Sequence, residues 1–175
     1  MSYKKQKVVF TIPMGISAAK REAIGLEIIA YIQERTAQDQ VDKNGKELAS
    51  YTKEYAEKKG VSRGDVDLMD TGDMLMSLTL LTHRSGSITI GYPAGDPING
   101  KVEGNRLGTY GQQTPIPGKA RDFLGLTDEE LVDIFARVIT EEDINAKEAY
   151  LEQMAEDNAD NLSDEELERL SRMFD

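Results

Sequence analysis

The chain of 175 residues and 19.4 kDa is long enough for one domain, which should bury roughly 70% of the surface its unfolded form exposes. Cysteine and tryptophan are absent and His83 is the lone histidine, which excludes disulfides, thiolate nucleophiles and thiolate metal sites; no uncharged apolar run approaches the roughly 20 residues of a bilayer span. The net charge of -11 is uneven, because residues 1–127 carry 17 Lys+Arg against 15 Asp+Glu while residues 128–175 carry 4 against 17, a field that repels nucleic acid and suits a basic protein partner.

The N-terminal "MSYKKQKVVFTIP" shows no cleavage pattern, so the expectation is a chain that stays in the cytoplasm where it is made. "KVVFTI" (7–12) alternates, with Val8, Phe10 and Ile12 on one side, and predicts a half-buried strand ended by Pro13 and Gly15. Ser17 can cap a helix in which Ile24, Ile28, Tyr31 and Ile32 recur at helical spacing, widened by Ile29, with Leu26 on the opposite face. After the Asn44-Gly45 turn signal, "KELASYTKEYAEKKG" predicts a short amphipathic helix carrying Leu48, Tyr51 or Thr52, and Tyr55, and ending at Gly60. "VSRGDVDL" reads as loop. In "DTGDMLMSLTL", Asp70 or Thr71 is placed to cap one or two helical turns bearing Met74, Leu75 and Leu78. A hairpin follows, with Ile88, Ile90 and Tyr92 alternating on one face beyond Arg84-Ser85-Gly86.

Four of the five prolines and six glycines fall in residues 93–119, which therefore read as a long irregular excursion with one short helical turn near "GNRLGTYG". "RDFLGLTDEEL" then joins Phe123, Leu124 and Leu126 to an N-cap (Thr127), a capping-box acid (Glu130) and a Leu126–Leu131 staple. The helix runs on through Ile134, Phe135, Val138 and Ile139. "LSDEEL" repeats the capping device 36 residues on, as convergent chemistry rather than an internal repeat. Between the two, an acidic helix with a thin stripe of Ile144, Leu151 and Met154 is expected, and the final segment sets Leu167, Leu170 and Phe174 on one side as a candidate partner-docking helix.

Motifs with chemistry are weak. "GDPINGKV" matches a phosphate loop up to its last position, where Val102 replaces the magnesium-binding hydroxyl and Pro97 removes a backbone donor. A calcium loop around Gly45 would begin with Gln40 and end with Tyr51, lacking both terminal acids, so the segment reads as a turn. His83 has no Ser or Cys near it in sequence and reads as structural. The clusters "SYKKQK" and "GKAR" lack interleaved aromatics and suit an acidic protein surface, including that of another copy of this chain. No catalytic, metal or cofactor residue is assigned.

Taken in order, "NGKELASYTKEYAEKKG", "VDLMDTGDMLMSL", the hairpin, "GTYGQ" and "IPGKARDFLGLTDEELVDI" resemble the virion-morphogenesis or tail-completion proteins of tailed bacteriophages, related to the G protein of phage Mu. The similarity spans residues 44–134. Where members often carry proline between the arginine and the phenylalanine this chain has Asp122, and where they often carry a histidine it has Tyr110, Gly111 and Gln112. The resemblance implies a non-enzymatic ring component of the head-tail junction, a sixfold homo-oligomer located in the virion and contacting neighbouring connector or tail proteins, with DNA passing its lumen unbound. The expected fold is α+β, with a small antiparallel sheet of three to four strands on helices, a long Gly/Pro loop, an assembly domain over residues 1–140 and an acidic helical extension over 141–175. Phe123, Leu124 and Leu126 are the expected loop anchor, with Arg121 at the rim facing an acid of the same or an adjacent subunit; Tyr110, Gln112 and Lys119 are the candidate inter-subunit loop. The alternative, from composition, is an acidic cytoplasmic adaptor or inhibitor that binds a basic host protein.

Overall fold

The computed structural model describes residues 4–68, 72–110 and 112–140, together with residue 145. These form an α+β fold in the order β1 (Lys7–Thr11), α1 (Ala18–Glu34), a π-helical turn (Arg35–Asp39), α2 (Lys53–Lys59), α3 (Asp73–Met76), β2 (Thr79–Arg84), β3 (Ser87–Gly91), α4 (Ile98–Leu107) and α5 (Asp128–Val138).

The three strands are antiparallel in the order β1-β3-β2. β3 is central because the hairpin closes locally, Arg84 facing Ser87 across Ser85 and a Gly86 whose φ of 78° supplies the left-handed conformation that tight hairpins require. Phe10 pairs with Ile88 and is buried with it, whereas Val9, one residue earlier, is 54% exposed; this is the period of two that the sequence alternation encodes. A register shift between Leu80 and Thr82 lets both Leu80 and His83 lie opposite buried-face residues, Ile90 and Ile88. An unbulged strand would point two residues of odd separation to opposite faces.

Helix α1 covers that face. Ser17 accepts from the Lys20 amide, and Ile24, Ile28 and Ile32 are wholly buried while Leu26 points outward. Gly25 allows the close approach: a Cβ there would lie 2.7 Å from Leu80 Cδ1. The helix then widens into the π turn, closed by Gln40 at φ 58° and burying Arg35 and Thr36.

Two expectations need correction. The helix expected from "KELASYTKEYAEKKG" is shorter: α2 starts after Thr52, which caps the Tyr55 amide, and ends at Gly60, leaving Leu48 and Tyr51 buried but outside it. The carbonyls of Ala49 and Ser50 are used by distant side chains, and the Tyr51 amide donates to Arg63 O, so this backbone is satisfied without a helical turn. The excursion over residues 93–119 is also not irregular throughout, because residues 98–107 form helix α4. Pro97 stands at its N-cap, beside the first turn where a missing N–H costs nothing, Asp96 Oδ1 accepts from the Ile98 amide, and Gly108 ends it at φ 72°. Fully buried Val102 fixes its inner face.

Asp70 and Thr71, expected as caps, lie outside the described residues, and the N-cap of α3 is Gly72; Met74, Leu75 and Leu78 are buried as expected. α5 carries the full capping box between Thr127 and Glu130, with Leu126 and Leu131 both packed on the core and Ile134 within it. The second acidic capping motif, the stripe of Ile144, Leu151 and Met154, and Leu167, Leu170 and Phe174 fall outside the described residues.

Candidate functional site

The loop from Gly108 to Thr127 is closed on itself and then pinned to the body. Gly108 needs its positive φ, and a Cβ there would meet Ala120 N at 2.8 Å, so the outgoing and returning backbones touch. Ile116 N donates to Gly108 O (2.9 Å), Gln112 N to Thr109 O (2.8 Å) and the Tyr110 hydroxyl to Lys119 O (2.6 Å). Lys119 Nζ reaches across to Ser50 O at 2.8 Å. Gln112 is exposed.

The returning segment is clamped residue by residue. Arg121 corrects the expectation of a rim position, since it is only 6% exposed; among the described residues no acid of the same subunit pairs with it. Its Nε donates to Ala49 O (2.6 Å), its Nη2 to Ser50 O (3.1 Å) and its Nη1 to Asn105 Oδ1 (3.4 Å), while its guanidinium lies 4.9 Å from the Tyr51 ring centroid and 5.3 Å from that of Tyr110. Carbonyl oxygens and aromatic faces satisfy a planar cation without a formal counter-charge. Asp122 turns the other way, to Arg106 Nε (2.6 Å) and Lys43 Nζ (2.8 Å). Burial alone would raise its carboxyl, but the hydrogen bonds and charges of Arg106 and Lys43 outweigh that and hold it below the usual carboxylate range.

Phe123 and Leu124 are wholly inside the core, and Leu126 packs on its border. Behind them Arg35, 2% exposed, donates to Phe123 O (2.9 Å), Gly125 O (3.0 Å) and Glu130 (2.9 Å). Tyr31 OH donates to the same carboxylate at 3.1 Å. Sequence reading passes over Arg35, although one signal is present: it continues the Ile24–Ile28–Ile32 stripe by one turn, where a solvated residue would be out of place. Asn99 is likewise unforeseen. Fully buried in α4, it accepts from the Gln6 amide (2.7 Å) and donates to Pro93 O and Asp96 O.

Between α2, α4 and this loop lies a groove of about 820 Å³. Tyr51, Tyr55, Leu68, Met74, Tyr110 and Ile116 supply its apolar wall, and the charged side chains among its described lining residues are Lys101, Lys119 and Arg121. Tyr51 and Tyr55 meet at 4.8 Å between ring centroids. Behind them Lys59 contacts Asp67 and the Tyr51 hydroxyl. Burial would lower the Lys59 ammonium, yet the Asp67 and Tyr51 contacts raise it, while burial raises the Tyr51 phenol. Tyr110, Lys119 and Arg121 are thus brought together at the groove; Phe123, Leu124 and Leu126 stand behind it.

The weak motifs resolve into structure. Gly100 and Lys101 of the phosphate-loop match lie within α4, and Asp42 uses its carboxylate on the amides of Asn44 and Lys46, as a turn residue does. His83 is half-buried in β2, with no partner for Nδ1 among the described residues. Among the described residues no group of three or more His, Cys, Asp or Glu is placed to hold a metal ion, and no helix is long and apolar enough to cross a membrane. No protein-family model, curated protein or solved structure matches the chain.

Proposed function

We propose that the chain is a structural protein of a tailed-phage virion, a neck or tail-completion subunit that forms a ring at the head-tail junction and acts through contacts with its own copies and with adjacent connector or tail proteins. It is made in the host cytoplasm and ends in the particle, catalyses no reaction and carries no cofactor; DNA passes its lumen without specific binding.

One observation carries this reading. Four of the segments of the phage-like resemblance, all but the hairpin, contribute to one feature: Tyr51, Leu68, Met74, Tyr110, Ile116 and Arg121 line the same groove, whose remaining wall is α4 and the residue before it. The surroundings suit an assembly subunit. Among the described residues β1 and β2 each pair with a strand on one side only, the Arg21 side chain donating to His83 O on the β2 edge, and Leu107 and Met76 are more than half exposed on the elements beside the groove.

Mass spectrometry of purified particles of the encoding phage, with antibody-labelled electron microscopy, tests the proposal. The protein should be found at the head-tail junction, and particles made without it should show separated heads and tails. Complete, infectious particles lacking the protein would end this reading; a soluble one-to-one complex with a basic host protein would favour an adaptor.

A further inference from the structure

Among the described residues, the charged side chains that line the groove are all cationic. Lys101, Lys119 and Arg121 face it, and none of the three is in an ion pair among the described residues. Arg121 is buried, and its acceptors are neutral oxygens. A cationic cluster on a wall of tyrosines selects a ligand that offers carboxylates beside apolar side chains. The chain itself contains such a segment. "LSDEELERLSRMFD", residues 162–175, sets Leu167, Leu170 and Phe174 at i, i+3 and i+7, the anchor spacing of a helix laid in a groove, among Asp164, Glu165, Glu166, Glu168 and Asp175.

We propose that the groove is the receptor for the acidic C-terminal segment 162–175 of a neighbouring copy, Leu167, Leu170 and Phe174 seating against the tyrosine and methionine wall and the flanking carboxylates meeting Lys101 and Lys119. The inference rests on the reading of the chain as an assembly subunit. Its direction comes from α5. Glu130 at the start of that helix meets Arg35 at the end of α1, while Val138 O at its end accepts from Lys20 Nζ at the start of α1. The chain therefore leaves the described fold at the end of α1 remote from Arg35 and the clamped loop, about 22 Å along the helix axis at 1.5 Å per residue. Seated in a neighbouring copy, a segment that follows an exit at one end of α1 and a groove near the other make a head-to-tail contact, the type that closes into rings.

Sedimentation velocity of the full chain over a concentration series tests this, using wild type, a groove variant (Lys101→Glu/Lys119→Gln), a tail variant (Glu165→Lys/Glu166→Lys) and the two variants mixed. Lys101 is exposed and the tail residues lie beyond α5, so circular dichroism should show each variant folded. Wild type should associate, and either variant should weaken association at least about tenfold, the effect being lost at high salt. An equimolar mixture should stop at dimers, because one intact groove meets one intact tail, and combining both changes in one chain should recover part of the association. An apolar variant, Leu170→Ser/Phe174→Ser, should fail alike without altering charge. Association that ignores all these changes overturns the proposal while leaving the assembly reading to the particle experiment. A wild-type monomer whose residues 162–175 are protected from hydrogen exchange, and lose protection in the groove variant, also overturns it by placing the contact within one copy.

Discussion

Arg35 and Glu130 meet at 2.9 Å across the contact between α1 and α5, and the same carboxylate accepts the Thr127 amide at 2.8 Å. One acid thus closes the capping box of α5 and neutralises a guanidinium that is 2% exposed. The two tasks are separable, because a glutamine can fill the box but carries no charge.

Glu130→Gln should therefore cost about 3 kcal/mol in urea unfolding, since removing one partner leaves a buried charge uncompensated. Adding Arg35→Met should recover part of the loss. If Glu130→Gln unfolds at the wild-type urea midpoint, the ion pair contributes nothing to stability.

Asp122 should give the fold a pH dependence. Its folded-state carboxyl lies below the ordinary value because Arg106 and Lys43 outweigh burial, so its contribution is present above the unfolded carboxylate pKa of about 3.9 and is lost as pH falls through the lower folded value. Wild type should melt above Asp122→Asn at pH 7, and the gap should close below about pH 4. A gap of constant size from pH 7 to pH 3 would remove the ionised carboxylate as its cause.

Phe123→Ala should destabilise the chain by about 4 kcal/mol, the range found for emptying an aromatic site in a packed core, because the side chain is fully buried. Thermal unfolding measures it. An unchanged melting temperature combined with lost self-association would assign Phe123 to an interface between copies.

Gly108→Ala should cost about 2 kcal/mol, since the position combines a φ of 72° with a Cβ position 2.8 Å from Ala120 N. Gly45→Ala, at φ 75° with nothing within 4 Å, carries the conformational penalty without the clash and should cost less. Equal losses in denaturant titration would show that the crossing of the loop's two ends is not tight.

What residues close in sequence encode was legible without the fold. Phe10 and Ile12, the Ile24–Ile28–Ile32 stripe, the caps at Ser17 and Thr127, and the Ser85-Gly86 turn all rest on spacings of two to four residues, and the structure places each where that spacing requires. Burial of charge was legible only in the place of Arg35 on the Ile24–Ile28–Ile32 stripe. Arg121 is inside because Ala49 O, 72 residues away, accepts from it, and Arg35 is inside because Phe123 O, 88 residues away, does. Helix α4 likewise depends on distant partners, with Val102 buried in the core and Asn99 bonded to Gln6 offsetting the cost of Gly100 and Gly104 inside a helix. Sequence determined the periodic elements because periodicity is local; only the tertiary structure decided which cations are buried and where a groove opens, because desolvation is tolerated only where other elements supply the acceptors.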